Sequence, residues 1–133
     1  MAAELRKIAA LCIKDNKILL VYKKSIGWYI TPGGKIDSGE TDLDCLKREL
    51  KEEVGCEFSN AKFYETFQSI THDNKTIEIK TYLCDLVGDI KLNPNDSITA
   101  YVWAALVEAN SYPLSETLRD QILPSLVRNK LLS

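Results

Sequence analysis

One short segment, residues 34–56, constrains this chain more than any other part of it. The segment reads GKIDSGETDLDCLKRELKEEVGC. Thr41 followed by Asp44 predicts a variant of the capping box at a helix start, and Gly55 is typical of a left-handed helix end. The segment therefore predicts a glycine-rich loop that leads into a helix, and the helix determines which side chains lie together.

The predicted helix has two different faces. At about 3.6 residues per turn, Glu49, Glu52 and Glu53 fall within one acidic stripe. A second stripe is aliphatic and contains Leu43, Leu46, Leu50 and Val54. We expect the aliphatic face to be buried and the acidic face to bind cations.

The acidic stripe needs a compensating positive charge. Carboxylates this close repel one another, so without a cation their pKa values rise. The stripe contains no His or Cys, and ligands that offer only oxygen favour Mg²⁺ or Mn²⁺ over Zn²⁺. The alternative is a solvated helix face with ion pairs such as Arg48 with Glu52. Glycine turns at residues 32–34 and 38–39 favour the metal site, because they let Glu40 fold back toward the helix.

The same segment resembles the Nudix box, Gly-x5-Glu-x7-Arg-Glu-U-x-Glu-Glu-x-Gly-U, in which U is a bulky aliphatic residue. The matching positions are Gly34, Glu40, Arg48, Glu49, Leu50, Glu52, Glu53 and Gly55, and Cys56 replaces the last aliphatic residue. A chance match at these positions is rarer than about one in a million per chain. The chain is therefore similar to Nudix hydrolases of the small MutT-like kind. The resemblance implies an α/β fold, the Nudix α/β/α sandwich with a mixed β-sheet between helices.

The resemblance also implies a metal site and catalytic roles. Its metal ligands would be a backbone carbonyl at Gly33 and the side chains of Glu40, Glu49, Glu52 and Glu53. The catalytic residues would be Glu49, Glu53, Glu52 and Arg48, with Glu49 the first choice and Glu53 the second for the base. Arg48 would hold a glutamate through a bidentate ion pair. Asp96 is a further candidate ligand, although its surroundings also predict an ordinary turn.

Lysine, tryptophan and glutamate residues are the candidates for substrate binding. Lys35 and Lys23 match positions where basic side chains meet phosphates in the family, or they are solvated lysines. Trp28 is close enough to the glycine turn to border the substrate cleft, or it is a core residue. Glu116 aligns with a base-reading position near the last helix, or it is a first-turn acid that follows the capping residue Ser115.

By resemblance, the chain is a metal-dependent pyrophosphohydrolase that cleaves a nucleoside diphosphate linked to another group. The leading prediction is hydrolysis of a nucleoside triphosphate to a monophosphate and pyrophosphate. An ADP-ribose or nucleotide-sugar pyrophosphatase is the alternative, which the lack of an additional N-terminal region disfavours. A non-catalytic nucleotide-binding Nudix module is the alternative from another class. Such modules usually lose glutamates of the box, and here all of them are present.

Composition sets the remaining expectations. A chain of 133 residues predicts a single domain, residues 1–133. The net charge of −2 gives no reason to expect a nucleic-acid polymer as a partner. No stretch resembles a signal peptide or reaches membrane-spanning length, so we expect a cytoplasmic monomer or homodimer with no membrane partner. Buried reduced thiols are predicted for the residues without metal or redox spacing, Cys12, Cys45, Cys56 and Cys84.

Outside the box, the sequence predicts mainly β-strands. Apolar and β-branched residues predict strands at 5–13, 17–23, 61–70, 76–87 and 99–106. Hairpin turns are predicted at residues 15–16 and 73–74, and His72 beside the second turn is interpreted as a solvated residue. A second helix is predicted with Ser115 as its cap, and Pro124 should kink or restart it.

Overall fold

Five strands precede one long helix, and three strands and then shorter helical segments follow it. The computed structural model describes residues 4–71 and 73–133, so His72 lies outside the described residues. The strands are β1 (Leu5–Leu11), β2 (Ile13–Lys14), β3 (Lys17–Lys23), β4 (Trp28–Ile30), β5 (Gly33–Lys35), β6 (Glu57–Ile70), β7 (Thr76–Val87) and β8 (Ile98–Ala104). The helices are α1 (Asp42–Val54), α2 (Leu106–Ala109) and α3 (Leu123–Arg128), with a π-helical segment (Leu118–Ile122) directly before α3. No helix in the described ranges is long and apolar enough to cross a membrane.

The strands of the described residues form two sheets. The first sheet has the order β5-β1-β7-β6, in which β1 and β7 are parallel and the other neighbours are antiparallel. The parallel pair joins distant parts of the chain, because Leu5 lies opposite Ile77 and Leu11 opposite Leu83. In the second sheet, β3 pairs antiparallel with β2, β4 and β8. The first sheet is therefore mixed.

Helices cover both faces of the sheets. Ile8 and Leu19 belong to a hydrophobic cluster with the buried residues of α1, Cys45, Leu46, Leu50 and Val54. Leu11 and Leu20 belong to a second cluster, with Leu118, Ile122 and Leu126 from the C-terminal helical region. Alternate residues of a strand face opposite sides, so the sheets lie between α1 and the C-terminal helical region. The predicted α/β/α sandwich with a mixed sheet is confirmed.

Helix α1 has both predicted caps. Thr41 Oγ1 accepts a hydrogen bond from the Asp44 N–H (3.1 Å), and the Asp44 carboxylate accepts one from the Thr41 N–H (3.4 Å). Gly55 ends the helix in the left-handed conformation, with φ 68°. The buried face differs from the prediction, since Leu43 is 45% exposed and Glu53 only 5% exposed. The buried stripe is therefore centred closer to Glu53, which brings that carboxyl group inside.

The other predicted elements are largely present. Strands β3 (Lys17–Lys23) and β7 (Thr76–Val87) have the predicted bounds, whereas β6 begins at Glu57 instead of residue 61. The sequence does not predict the short strands β4 and β5, because three residues are too few to show the two-residue alternation of a strand. Ser115 caps the C-terminal helical region as predicted, since its Oγ accepts the Leu118 N–H at 3.4 Å.

The C-terminal helical region changes its pitch where Pro124 lies. The Leu123 N–H bonds to the Leu118 carbonyl across a wide π turn, and Pro124, which has no N–H, follows at the start of α3. Helix α3 is fastened to β6 through the buried Ser125, whose Oγ donates a hydrogen bond to the Glu65 carboxylate (2.6 Å). This contact fixes the helical region that forms one wall of the cleft described below.

Replacing Gly33 by alanine should destabilise the fold. Gly33 has φ 149°, and a Cβ there would lie 2.1 Å from the backbone carbonyl oxygen of Ile8. Relief of this overlap would disturb the pairing of β1 with β5. We expect Gly33→Ala to lower the free energy of unfolding by at least about 3 kcal/mol, measured by urea denaturation.

Gly39→Ala is the matched control for the positive φ angle. Gly39 has φ 83°, but no atom of the described residues lies within 4 Å of its Cβ position. This variant should therefore lose only about 1 kcal/mol, from backbone strain alone. Equal losses in the two variants would contradict the steric explanation.

Candidate active site

Strand β5 brings the glycine pair, Gly33 and Gly34, against helix α1. The Gly33 N–H donates a hydrogen bond to Glu53 Oε1 at 2.7 Å. A Cβ on Gly34 would lie 2.4 Å from the carboxylate of Glu49. Because the glycine pair has no side chains, two carboxyl groups of α1 lie directly against the backbone of β5.

Glu53 is the buried carboxyl group of the site. Burial raises its pKa to about 8, and the negative charges of Glu49 and Asp96 act in the same direction. The backbone hydrogen bond and the charge of Lys23 oppose this shift. Asp96 itself forms a turn, in which its carboxylate accepts the Ile98 N–H at 3.2 Å. The carboxyl groups are therefore close enough to repel one another.

The other two glutamates of the acidic stripe differ in their surroundings. Glu49 is partly buried, and burial raises its pKa, whereas the hydrogen bond from Arg48 Nη1 (2.9 Å) opposes the shift. The Glu52 side chain is 53% exposed, and its carboxylate lies 3.5 Å from Arg48 Nη1. Glu49 and Glu53 thus lie against the glycine pair, and Glu52 lies toward solvent.

Arg48 joins the loop to the helix. Its Nε and Nη2 donate hydrogen bonds to the two carboxylate oxygens of Glu40, at 2.8 and 2.9 Å, which is the bidentate geometry expected for Arg48. Nη1 also donates to Glu49, and Nη2 donates to the Lys35 carbonyl at 3.0 Å. Arg48, and after it the Asp37 N–H, lower the pKa of Glu40 to about 2. The ionised Glu40 therefore holds Arg48, and Arg48 positions Glu49.

The candidate metal ligands are not all available to a cation. Within residues 4–71 and 73–133, no group of three or more His, Cys, Asp or Glu side chains is arranged to hold a metal ion. Glu40 bonds to Arg48 and to backbone, and Glu52 lies toward solvent. Glu49 and Glu53 offer oxygen ligands beside the glycine pair. Mg²⁺ is commonly held by one or two carboxylates and by substrate phosphates, so these residues fit a cation that is shared with a substrate.

A cleft of about 480 Å³ opens beside the glycine pair. The charged residues of its lining are Lys7, Lys23, Lys35, Asp37, Arg48 and Glu49. Its remaining walls are mainly aliphatic and include Ile30, Ile77, Ile79, Leu118 and Ile122. This arrangement suits a ligand that has an anionic end and a largely apolar remainder.

The cleft contains some of the candidate substrate-binding residues but not others. Lys23 and Lys35 line it, whereas Trp28 and Glu116 are absent from its described lining. Trp28 is 46% exposed at the start of β4, and Glu116 is also exposed. Ser115 and Thr117, the neighbours of Glu116 on either side, line the cleft in its place.

Lys7 also lines the cleft, although it is not among the site residues predicted from the sequence. The relevant signal is the alternation along β1, in which Lys7, Ala9 and Leu11 share one face of the strand. Leu11 is buried on the side of the C-terminal helical region. Lys7 therefore faces that side of the sheet, where the cleft lies.

The cysteines are free and buried, as predicted. Cys45 Sγ lies 3.5 Å from the Lys35 carbonyl oxygen, beneath the loop. Cys12 and Cys84, whose sulfur atoms are 3.7 Å apart, line a second cavity of about 580 Å³. This cavity is larger than the cleft, but no residue of α1 is in its described lining. The cleft beside the glycine pair is therefore the candidate active site.

Comparison with known proteins identifies the family of this chain. The family model of the NUDIX domain matches residues 4–126, so the chain belongs to this family. The uncharacterized Nudix hydrolase YvcI of Bacillus subtilis is 35% identical over 83 residues, which are 62% of this chain and 52% of YvcI. The chain thus spans about half the length of that relative.

Two further similarities cover more of both partners. The CTP pyrophosphohydrolase of Escherichia coli is 27% identical over 113 residues, which are 81% of each chain. A crystal structure of a MutT NUDIX hydrolase from Burkholderia pseudomallei has a TM-score of 0.78 at 26% identity. The match covers 86% of this chain and 92% of that chain. The resemblance predicted from the box therefore extends to nearly the whole fold.

Replacing Arg48 by lysine should destabilise the protein although the positive charge is kept. A single ammonium group cannot bond at once to both oxygens of Glu40, to Glu49 and to the Lys35 carbonyl. We expect Arg48→Lys to lower the free energy of unfolding by about 1–2 kcal/mol in urea denaturation.

Arg119→Lys is the control for this substitution. Arg119 makes the same two-pronged contact, but only with its exposed neighbour Asp120. Exposed ion pairs contribute little, so we expect Arg119→Lys to leave the free energy of unfolding essentially unchanged. If both substitutions cost the same, the network around Arg48 does not have the stabilising role assigned to it.

Proposed function

We propose that this chain is a metal-dependent pyrophosphohydrolase that cleaves a nucleoside triphosphate to a monophosphate and pyrophosphate. The observation that carries the proposal is the position of Glu49 and Glu53 against the glycine pair. Lys23 and Lys35 line the same cleft as Glu49. A phosphoanhydride bound there would meet carboxylates and ammonium groups together, and the rest of the nucleotide would extend along the aliphatic walls.

The carboxylates of α1 are proposed to hold the cation and to accept a proton. Glu49 and Glu53, with the Gly33 carbonyl, would hold Mg²⁺ or Mn²⁺, and Glu40 and Glu52 would belong to the outer part of the site. When bound, such a cation neutralises phosphate oxygens and lowers the pKa of water. Glu49 lines the cleft, so it is our first choice as the base that accepts the proton of the attacking water. Glu53 is the second choice.

The cationic side chains are proposed to position the substrate and the base. Lys23 and Lys35 line the cleft and would pair with phosphate oxygens. Arg48 already bonds to Glu40 and Glu49, so it would orient Glu49 instead of contacting the phosphates. The similarity to the CTP pyrophosphohydrolase of Escherichia coli supports a triphosphate as the substrate.

A substrate screen tests the proposed activity. The protein would be incubated with Mg²⁺ or Mn²⁺ and nucleoside triphosphates, ADP-ribose, nucleotide sugars or dinucleoside polyphosphates, and the products separated by ion-exchange chromatography. Monophosphate and pyrophosphate formed from a triphosphate, and abolished by a chelator, would support the proposal. Turnover of ADP-ribose or nucleotide sugars alone would reject the triphosphate. Binding without turnover across the panel would reject the enzyme and support a binding module.

Glu53→Gln should remove most of the activity and leave the fold intact. The glutamine side-chain oxygen can still accept the Gly33 N–H, but it no longer provides a charged ligand. We expect the turnover number to fall by about a hundredfold or more, which corresponds to about 2.7 kcal/mol in the activation barrier. Glu57→Gln, at the exposed start of β6, is the control and should retain activity. Near wild-type turnover in Glu53→Gln would reject the role of Glu53.

Gly34→Ala should lower activity with little effect on stability. The added Cβ overlaps the Glu49 carboxylate, which is the end of a flexible side chain and can move away. We expect an unchanged melting temperature and a loss of turnover of about tenfold or more, because a misplaced catalytic group is costly. In a Glu49→Ala background the same change should add almost nothing. A full additional loss in that background would show that Gly34 acts independently of Glu49.

A further inference from the structure

Lys7 occupies a register position in the cleft to which the proposed reaction assigns no role. Across the first sheet, Lys35 of β5, Lys7 of β1 and Ile79 of β7 are in register, and all three line the cleft. Side chains in register on neighbouring strands share a face and are about 5 Å apart. Along the floor of the cleft, the side chains in register are therefore cationic on β5 and β1 and aliphatic on β7. Lys7 is the cation next to the aliphatic side chain.

The ammonium group of Lys7 has hydrogen-bond donors but no acceptor among the described residues. Its ammonium group makes no hydrogen bond or ion pair with the described residues. Its pKa is lowered, first by burial and then by the charges of Lys23 and Lys35, whereas the charges of Glu53 and Glu49 act in the opposite direction. The aliphatic stem of a lysine packs well on apolar surface, whereas the ammonium group needs an acceptor. A ligand that enters the cleft can supply that acceptor.

The place of Lys7 favours a contact with the nucleobase over a contact with phosphate. Lys35 directly follows Gly34, which lies against the catalytic carboxylates, so the phosphates belong at that end. Lys7 is one strand farther away and borders Ile79, and Leu118 lines the same cleft. Apolar walls suit a flat ring, and a few polar groups then fix its orientation.

We propose that Lys7 is a specificity-determining residue, which donates a hydrogen bond to an exocyclic carbonyl oxygen of the nucleobase. An ammonium group donates hydrogen bonds and cannot accept them. Uracil and hypoxanthine present a carbonyl oxygen where cytosine and adenine present an amino group, and an amino group would place donor against donor. The cleft thereby selects keto bases over amino bases. This inference rests on the proposed function, since it takes the ligand to be a nucleotide.

Matched nucleotide pairs test the proposal. UMP and CMP differ chiefly in one carbonyl or amino group on the ring, and so do IMP and AMP. With Mg²⁺ present, calorimetry should show UMP binding at least about fivefold more tightly than CMP, and IMP more tightly than AMP by a similar factor. Lys7→Gln carries an amide that both donates and accepts, so both ratios should fall below about twofold.

Two control variants separate the base contact from a phosphate contact. Lys35→Gln should weaken the binding of all four nucleotides alike, because it removes a charge at the phosphate end. Lys17→Gln, exposed on β3 outside the cleft, should change nothing. If Lys7→Gln also weakened all four nucleotides alike, Lys7 would be a phosphate ligand and the proposal would be overturned. Equal wild-type binding within each pair would overturn it as well.

Turnover distinguishes the failure of this inference from the failure of the proposed function. Hydrolysis of UTP and CTP with equal kcat/KM would leave the pyrophosphohydrolase in place and reject the role of Lys7. A keto preference in binding, lost in Lys7→Gln, together with no turnover of any nucleotide would reject the hydrolase and keep the role of Lys7.

Discussion

The hydrogen bond from the Gly33 N–H to Glu53 is the contact on which the candidate site depends. It joins β5 to α1, and the antiparallel pairing of β5 with β1 sets its position. A Cβ on Gly33 would overlap the backbone of β1, and a Cβ on Gly34 would overlap the Glu49 carboxylate. The register of one short strand thereby determines where two carboxylates of a helix can lie. A slip of one residue would turn the loop to the opposite face.

The glutamates of the acidic stripe differ in their electrostatic surroundings. Arg48 neutralises Glu40 and bonds to Glu49, and it also forms an ion pair with the more exposed Glu52. Glu53 is buried, and its pKa is raised accordingly. Three carboxylates at helical spacing are therefore not three equivalent ligands. Their distance from the sheet and from one guanidinium group decides which of them are available to a cation.

Local signals explain how much of the fold and of the site could be predicted from the sequence. The caps at Thr41 and Gly55 follow from residue types within one turn of each helix end. The exposure of Leu43 and the burial of Glu53 depend on how α1 is rotated against the sheet, which only packing between distant segments decides. The alternation along β1 indicates which side of the sheet Lys7 faces, but its position beside Lys35 follows only from the pairing with β5, whose three residues carry no periodic signal.

The parallel pairing of β1 with β7 has a consequence for the order in which the protein is built. A chain is synthesised from its N-terminus, so residues 34–56 emerge from the ribosome before β7 does. Until β7 arrives, the edge of β1 that it will cover has no partner in the first sheet. Pairing between such distant segments is slow in comparison with helix formation. The sheet that positions the glutamates is therefore complete only once β7 has paired with β1, although the side chains of β7 line only the aliphatic part of the cleft.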